Sequence, residues 1–245
     1  MNLFSQYLEL VRFQLRSMRG EFAFIAMIQI VLTLGLVLGF GYIIPDISDT
    51  TATYLVTGAA TQAFVTVGLV MLPQFIAQAK DDGRLDYFMT LPIIRELYLL
   101  AQLTVVAILA LPGAAIAVAF GAWHYGFAVN VDPLVVVVML LAVLSLAGIG
   151  VAIAVAIPHV QIVNALSQLV IFYVLFFAPV LLPREQLPAV LQHISDFMPP
   201  TYAADGVRAT LTDLPGTHLA RSILVMSAFA AGSMALGSIM IRRRG

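Results

Sequence analysis

Cysteine is absent from these 245 residues and lysine occurs once, at Lys80. Without cysteine neither a disulfide framework nor a thiolate metal site can form, whichever side of a membrane a loop faces. The one lysine follows Ala79 rather than glycine, which excludes the phosphate-cradling G-x-x-x-x-G-K-[S/T] loop. The four histidines, His124, His159, His193 and His218, form no H-E-x-x-H or other close ligand cluster, and no G-x-S-x-G elbow is present. Catalysis by this polypeptide alone is therefore not expected, and no metal or cofactor is assigned to it.

Charge is the next scarcity: 12 basic and 13 acidic residues make up 10% of the chain, against about a quarter in ordinary soluble domains. The balance, a net charge of −1, carries no argument for nucleic acid. What replaces charge is apolar surface, 61% of residues, with a mean hydropathy of +1.00. A bilayer core needs about 20 apolar residues per helix. Six runs meet that need, from Phe22 to Ile44, Tyr54 to Ala77, Tyr98 to Ala122, Pro133 to Ile157, Ile162 to Leu182 and His218 to Ile241. The expected fold is an all-α integral membrane protein in one transmembrane domain, residues 1–245. The first run exceeds a signal-peptide core and is expected to be retained.

Basic residues mark the cytoplasmic side of a membrane protein. With six spans both termini share a side, and that side holds nine of the 12: Arg12, Arg16 and Arg19, then Lys80, Arg84 and Arg95, then Arg242, Arg243 and Arg244. The sequence thus predicts cytoplasmic termini in the inner membrane. Arg184, Arg208 and Arg221 are left on the outer side.

From Asn2 to Arg19, Phe4, Leu8, Val11, Leu15 and Met18 share one helical face, and Ser5, Glu9, Arg12, Arg16 and Arg19 the other. Such a helix is expected to lie in the cytoplasmic interface and to contact lipid. Small residues recur at packing distance within the spans, at Gly35 and Gly39, at Gly148, Ala152 and Ala156, and at Ala231 and Ala235. Uncharged polar residues also occur there: Gln29, Gln62, Gln74, Gln102, Asn164, Gln168 and Tyr173. They can hydrogen-bond between helices or give a cavity polar spots. No carboxylate lies within a span, as an ion-coupled transporter would usually require.

Two polar segments interrupt the apolar chain. Residues 80–96 gather Lys80, Asp81, Asp82, Arg84, Asp86, Arg95 and Glu96 around the apolar Leu85, Tyr87, Phe88, Met89 and Leu91. Apolar side chains in such close succession call for a partner or the membrane interface. Residues 183–210 read as short amphipathic helices capping or dipping into the outer leaflet. Leu187, Val190, Leu191, Ile194 and Phe197 lie at helical spacing, and a second helix from Tyr202 through Thr210 follows the Pro199-Pro200 break. Asp205 and Arg208 can pair along it, as a solvated pair of little energetic weight.

Asp82, Gly83, Leu85, Asp86, Leu91, Pro92, Arg95 and Glu96 resemble the loop between the second and third spans of ABC-2 type exporter permeases, an acidic-x-G-T-L-E pattern followed by hydrophobics, proline and an R-x-E-like segment. Arg84 stands where that family usually has threonine, and Ala101-Gln102 where Gly-Lys is common. Pro183, Leu187, Pro188, Leu191, Pro200, Thr201, Tyr202 and Arg208 are similar to the family's F-P-x-x-x-L-P and N-P-L-T-Y stretch with its terminal arginine, with Met198-Pro199 departing from it. With the leader helix and six spans, the resemblance covers nearly the whole chain.

The resemblance implies a half-transporter, in which two permease chains, identical or related, join two separate ABC ATPase subunits that hold ATP and Mg. It implies a coupling helix within 80–96, built from Asp82, Gly83, Arg84, Leu85, Asp86, Phe88, Met89, Leu91 and Pro92. Export of an amphiphilic or hydrophobic substrate (drug, lipid or lipid-linked glycan) is then expected. The cavity would involve Gln62, Asn164, Gln168, Phe172 and Tyr173, and the outer gate Pro183, Leu187, Pro188, Pro200, Tyr202 and Arg208. A secondary transporter or channel, and a membrane anchor without transport, stay open as other classes.

Overall fold

The structure, a computed structural model, describes residues 3–44, 47–84, 95–178, 180–181, 183–214 and 216–242. Among them every regular element is helical. In chain order these are α1 (Leu3–Ser17), α2 (Arg19–Ile43), α3 (Asp49–Thr66), α4 (Leu72–Asp81), α5 (Arg95–Tyr125), α6 (Val135–Ala156), α7 (Val160–Phe177), α8 (Ala189–Ser195), α9 (Pro199–Leu211) and α10 (Leu219–Arg242). Four stretches are long and apolar enough to cross a membrane: Arg19–Ile43, Asp49–Asp81, Leu100–Tyr125 and Val135–Ala156. Val160–Leu175 and Leu219–Ser233 are shorter apolar helices.

The centre of the bundle is the continuous rod from Asp49 to Asp81, in which a π turn, Val67–Met71, joins α3 to α4. Ser48 caps its start by accepting from the Thr51 N–H. Pro73 explains the π turn: proline has no N–H, and its ring crowds the carbonyl four residues back. The helix widens by one residue there, and the Leu72 N–H reaches the Val67 carbonyl. The rod can be buried almost all round because its threonine hydroxyls are satisfied within the helix. Thr53, Thr57, Thr61 and Thr66 each donate their hydroxyl to the carbonyl four residues before, at 2.7 to 2.9 Å. Ala52, Ala59, Ala60 and Ala63 let neighbouring backbones come close.

Around this rod α5 packs against α3, α2 and α1, α6 against α10, α4 and the π turn, and α9 against α6, α10 and α3. Where α6 passes the π turn, a Cβ on Gly150 would fall 2.4 Å from the Gly68 carbonyl oxygen, so only glycine fits. A Cβ on Gly148 would likewise collide with Ser233 of α10. Gly35 and Gly39, of the same spacing type, have nothing within 4 Å. The small-residue pattern therefore marks a contact at one pair of helices and open space at another.

Three expectations change. The N-terminal helix keeps Val11, Leu15 and Met18 of its expected stripe against α5, but Tyr7, Leu10 and Gln14 join them, Tyr7 hydrogen-bonding Thr104 at 2.6 Å, and Phe4 is left 70% exposed. Packing on the apolar start of α5 widens the buried face towards Tyr7 and Gln14. The run from Ile162 to Leu182 is helical only over Val160–Phe177; Ala178, which precedes Pro179, is extended, the conformation a residue before proline favours. Pro199 and Pro200 do not break the chain but open α9, where a missing N–H costs nothing.

Candidate functional site

At one end of the rod, α4 finishes at Asp81 and Gly83 takes a left-handed φ of +69° that favours glycine. Arg84 pairs with Asp82 at 2.8 Å, and both side chains are at least half exposed. Lys80 points inward, donating to the carbonyls of Ala154 at 2.8 Å and Ile157 at 3.1 Å. Those oxygens end α6, so the ammonium caps the negative pole of that helix. The remaining expected docking residues, Leu85, Asp86, Phe88, Met89, Leu91 and Pro92, lie outside the described residues.

On α7, Val163, Ser167 and Val174 are buried, while Asn164, Gln168, Phe172 and Tyr173 are exposed, joined by Gln161. The packed face is turned to α4 and the π turn. Four of the five expected cavity residues thus share one uncovered face. Gln62 stands apart from them, buried on α3.

The far end of the rod carries the densest polar chemistry. Arg208 of α9 is 1% exposed, a guanidinium held in the protein interior by three kinds of contact. It donates to Asp205 at 3.0 Å and to the Val180 carbonyl, and lies 4.2 Å over the Tyr54 ring of α3. A Cβ on Gly58 would fall 2.2 Å from that same Val180 oxygen, so glycine admits the Val180 backbone to the rod. The sequence suggested a solvated Asp205–Arg208 pair; the packing of α9 on three helices corrects this. Burial pulls the Arg208 guanidinium below its ordinary value, with Asp205 opposing. Burial also pushes the Asp205 carboxyl above its usual range despite Arg208, although its side chain keeps 42% of its surface.

A second layer sits over Arg208. Arg184 binds Asp196 at 2.6 Å and the Gln192 carbonyl at 3.1 Å, and the Asp196 hydrogen bond raises the arginine's pKa. Tyr202 donates its hydroxyl to the Asp196 carbonyl at 2.7 Å and is approached by Arg221 at 3.5 Å. Of the other gate residues, Pro183 precedes the 3-10 turn Arg184–Gln186, Leu187 accepts from the Gln192 amide at 2.9 Å, Pro188 precedes α8 and Pro200 is buried in the first turn of α9. Tyr54, Gly58 and Asp196 were not anticipated from the sequence. The available signal was the gathering of Arg184, Asp196, Asp205, Arg208 and Arg221 in a chain that otherwise spends few charges.

Among the described residues no group of three or more His, Asp or Glu side chains could hold a metal. A comparison with curated proteins gives no match. The family model for the ABC-2 type transporter matches residues 5–212, most of the chain, and members of that family pair with ABC ATPase subunits. With its apolar spanning helices, the chain belongs to the ABC-2 type transporter family and is an integral-membrane permease component of ABC transport.

Proposed function

We propose that this chain is the membrane subunit of an ATP-driven exporter for an amphiphilic or hydrophobic compound, a drug, a lipid or a lipid-linked glycan. The observation that carries the reading beyond family membership is the uncovered polar row of α7. Gln168 sits about 12 Å along a helix about 27 Å long, at the depth of the hydrocarbon core if α7 spans. An amide facing lipid without a hydrogen bond costs about 2 kcal/mol or more. A water-lined or substrate-filled cavity against a second permease chain, identical or related, removes that cost.

Six spans with both termini cytoplasmic complete the arrangement, α7 and α10 being the two spans beyond the four long ones. Two ATPase subunits, binding ATP and Mg outside this chain, dock on the loop 80–96. Their closure pushes on α4, and Lys80 passes the displacement to the end of α6. The short helices α8 and α9, with the Arg208 cluster, form the outer gate. This chain performs no catalysis itself.

The test is reconstitution with an ABC ATPase subunit that co-purifies with the chain. Vanadate-sensitive efflux and loss of ATPase co-purification in Leu85→Asp/Phe88→Asp are the expected results. Efflux driven by a proton gradient without any ATPase would instead make the chain a secondary transporter. Intact ATPase binding with no flux would make it an anchor.

A further inference from the structure

The Arg208 cluster opens on a cleft of about 50 Å³ between α9, α10 and the turn before α8. That is space for roughly three to five waters, about the size of one tetrahedral oxyanion and too little for a sugar or a drug. Its walls carry Arg184, Arg208 and Arg221 against Asp196 and Asp205, an excess of one positive charge. Two of the three arginines are committed, Arg184 to Asp196 at 2.6 Å and Arg208 to Asp205 at 3.0 Å. Arg221 is not closed in the same way: it reaches Asp196 only at 3.9 Å and the Tyr202 hydroxyl at 3.5 Å.

A second observation points into the same space. Thr201 is 4% exposed and lines the cleft, yet its hydroxyl has no hydrogen-bond partner. A buried donor left unpaired is costly and rare. Ser222, 2% exposed, and His218 complete the wall from the start of α10, where the first turn of a 24-residue helix adds positive potential. The carboxylates that would repel an anion, Asp196 and Asp205, are each neutralised by a shorter bond to another arginine.

We propose that this cleft binds a phosphate group, as a phosphodiester or phosphomonoester oxyanion, through the Arg221 guanidinium and the Thr201 hydroxyl. Planar, charge-assisted hydrogen bonding suits arginine to this anion. The cleft lies at the end of the rod remote from Gly83, about 39 Å from Lys80 to Tyr54 along the helix, a separation that brings it to a membrane surface when the other end meets the opposite one. The phosphate could therefore be supplied by a phospholipid headgroup or by the aqueous phase.

The full chain, purified in detergent, distinguishes these by titration calorimetry with four probes: sodium phosphate, sodium chloride at matched ionic strength, dihexanoyl phosphatidylglycerol and dihexanoylglycerol. Saturable binding of either phosphate-bearing probe, with none of its phosphate-free counterpart, is expected. Binding of the phospholipid alone assigns the headgroup, and binding of inorganic phosphate assigns a soluble anion. Arg221→Gln should weaken binding at least about tenfold, the loss of a charge-assisted hydrogen bond. Thr201→Val, which keeps the shape, should weaken it about three- to tenfold, and Arg221→Lys should retain a measurable part. Saturation by neither phosphate probe, or an affinity unchanged in both Arg221→Gln and Thr201→Val, overturns the proposal. ATPase co-purification measured on the same Arg221→Gln chain separates this outcome from failure of the transport reading, which it leaves untouched.

Discussion

Two aspartate–arginine pairs stand at opposite ends of one rod. Asp82–Arg84 closes at 2.8 Å and Asp205–Arg208 at 3.0 Å, each between residues two or three apart in sequence. Their surroundings separate them. The first keeps 50% and 60% of its side-chain surfaces in solvent; in the second the arginine keeps 1%. An exposed pair gains little, because water screens it and long side chains lose freedom. A buried arginine cannot return to water without unfolding the packing around it, so its partners become obligatory. Local sequence spacing supplies the pair, and only the number of helices over it decides what the pair is worth.

The sharpest way to break this contrast is Arg208→Met. Removing the buried cation leaves the Val180 carbonyl unsatisfied and Asp205 half buried without its partner. A loss of about 3 kcal/mol is expected, seen as a fall in the detergent melting midpoint of roughly 10 °C. Gly58→Ala tests the same knot from the rod, since the added methyl meets the Val180 oxygen rather than a flexible side chain. It should cost about 1 to 3 kcal/mol in the same melting assay, whereas Gly39→Ala, into open space, should cost nothing.

Lys80→Met comes next. It removes two charge-assisted bonds at the end of α6, for about 1 to 2 kcal/mol, and under the proposed coupling it lowers efflux per ATP hydrolysed while ATPase binding persists. Lys80→Arg should recover part of both. At the small end, Arg84→Ala is expected to change the melting midpoint by less than about 0.5 kcal/mol equivalent. A destabilisation as large as that of Arg208→Met would erase the comparison.

The α7 row and the Arg208 cluster were legible to different degrees. Asn164, Gln168 and Phe172 recur every four residues, and one uncovered face follows from helical geometry once α7 is a helix. Gln62 does not join them, because helical spacing says nothing about which neighbour a face meets. The Arg208 knot needs Tyr54, Gly58 and Val180, which lie 154, 150 and 28 positions from Arg208 in pattern-free sequence. No local rule links them. The π turn was half legible: Pro73 announces a missing donor within an apolar run, but the close approach of Gly150 to Gly68 depends on α6 passing there.

What the sequence by itself determined is the solvent and the secondary structure. A chain with 10% charge and long apolar runs can satisfy its backbone in lipid only as helices or a closed barrel, and the run lengths select helices. Threonines at four-residue spacing further allow the Asp49–Asp81 rod to be buried, since each hydroxyl finds its own helix's carbonyl. The tertiary structure alone decided which polar groups became expensive. Burial depends on how many helices meet at a point, a sum over distant segments, and it turned one of two similar ion pairs into the anchor of a polar cleft while leaving the other in water.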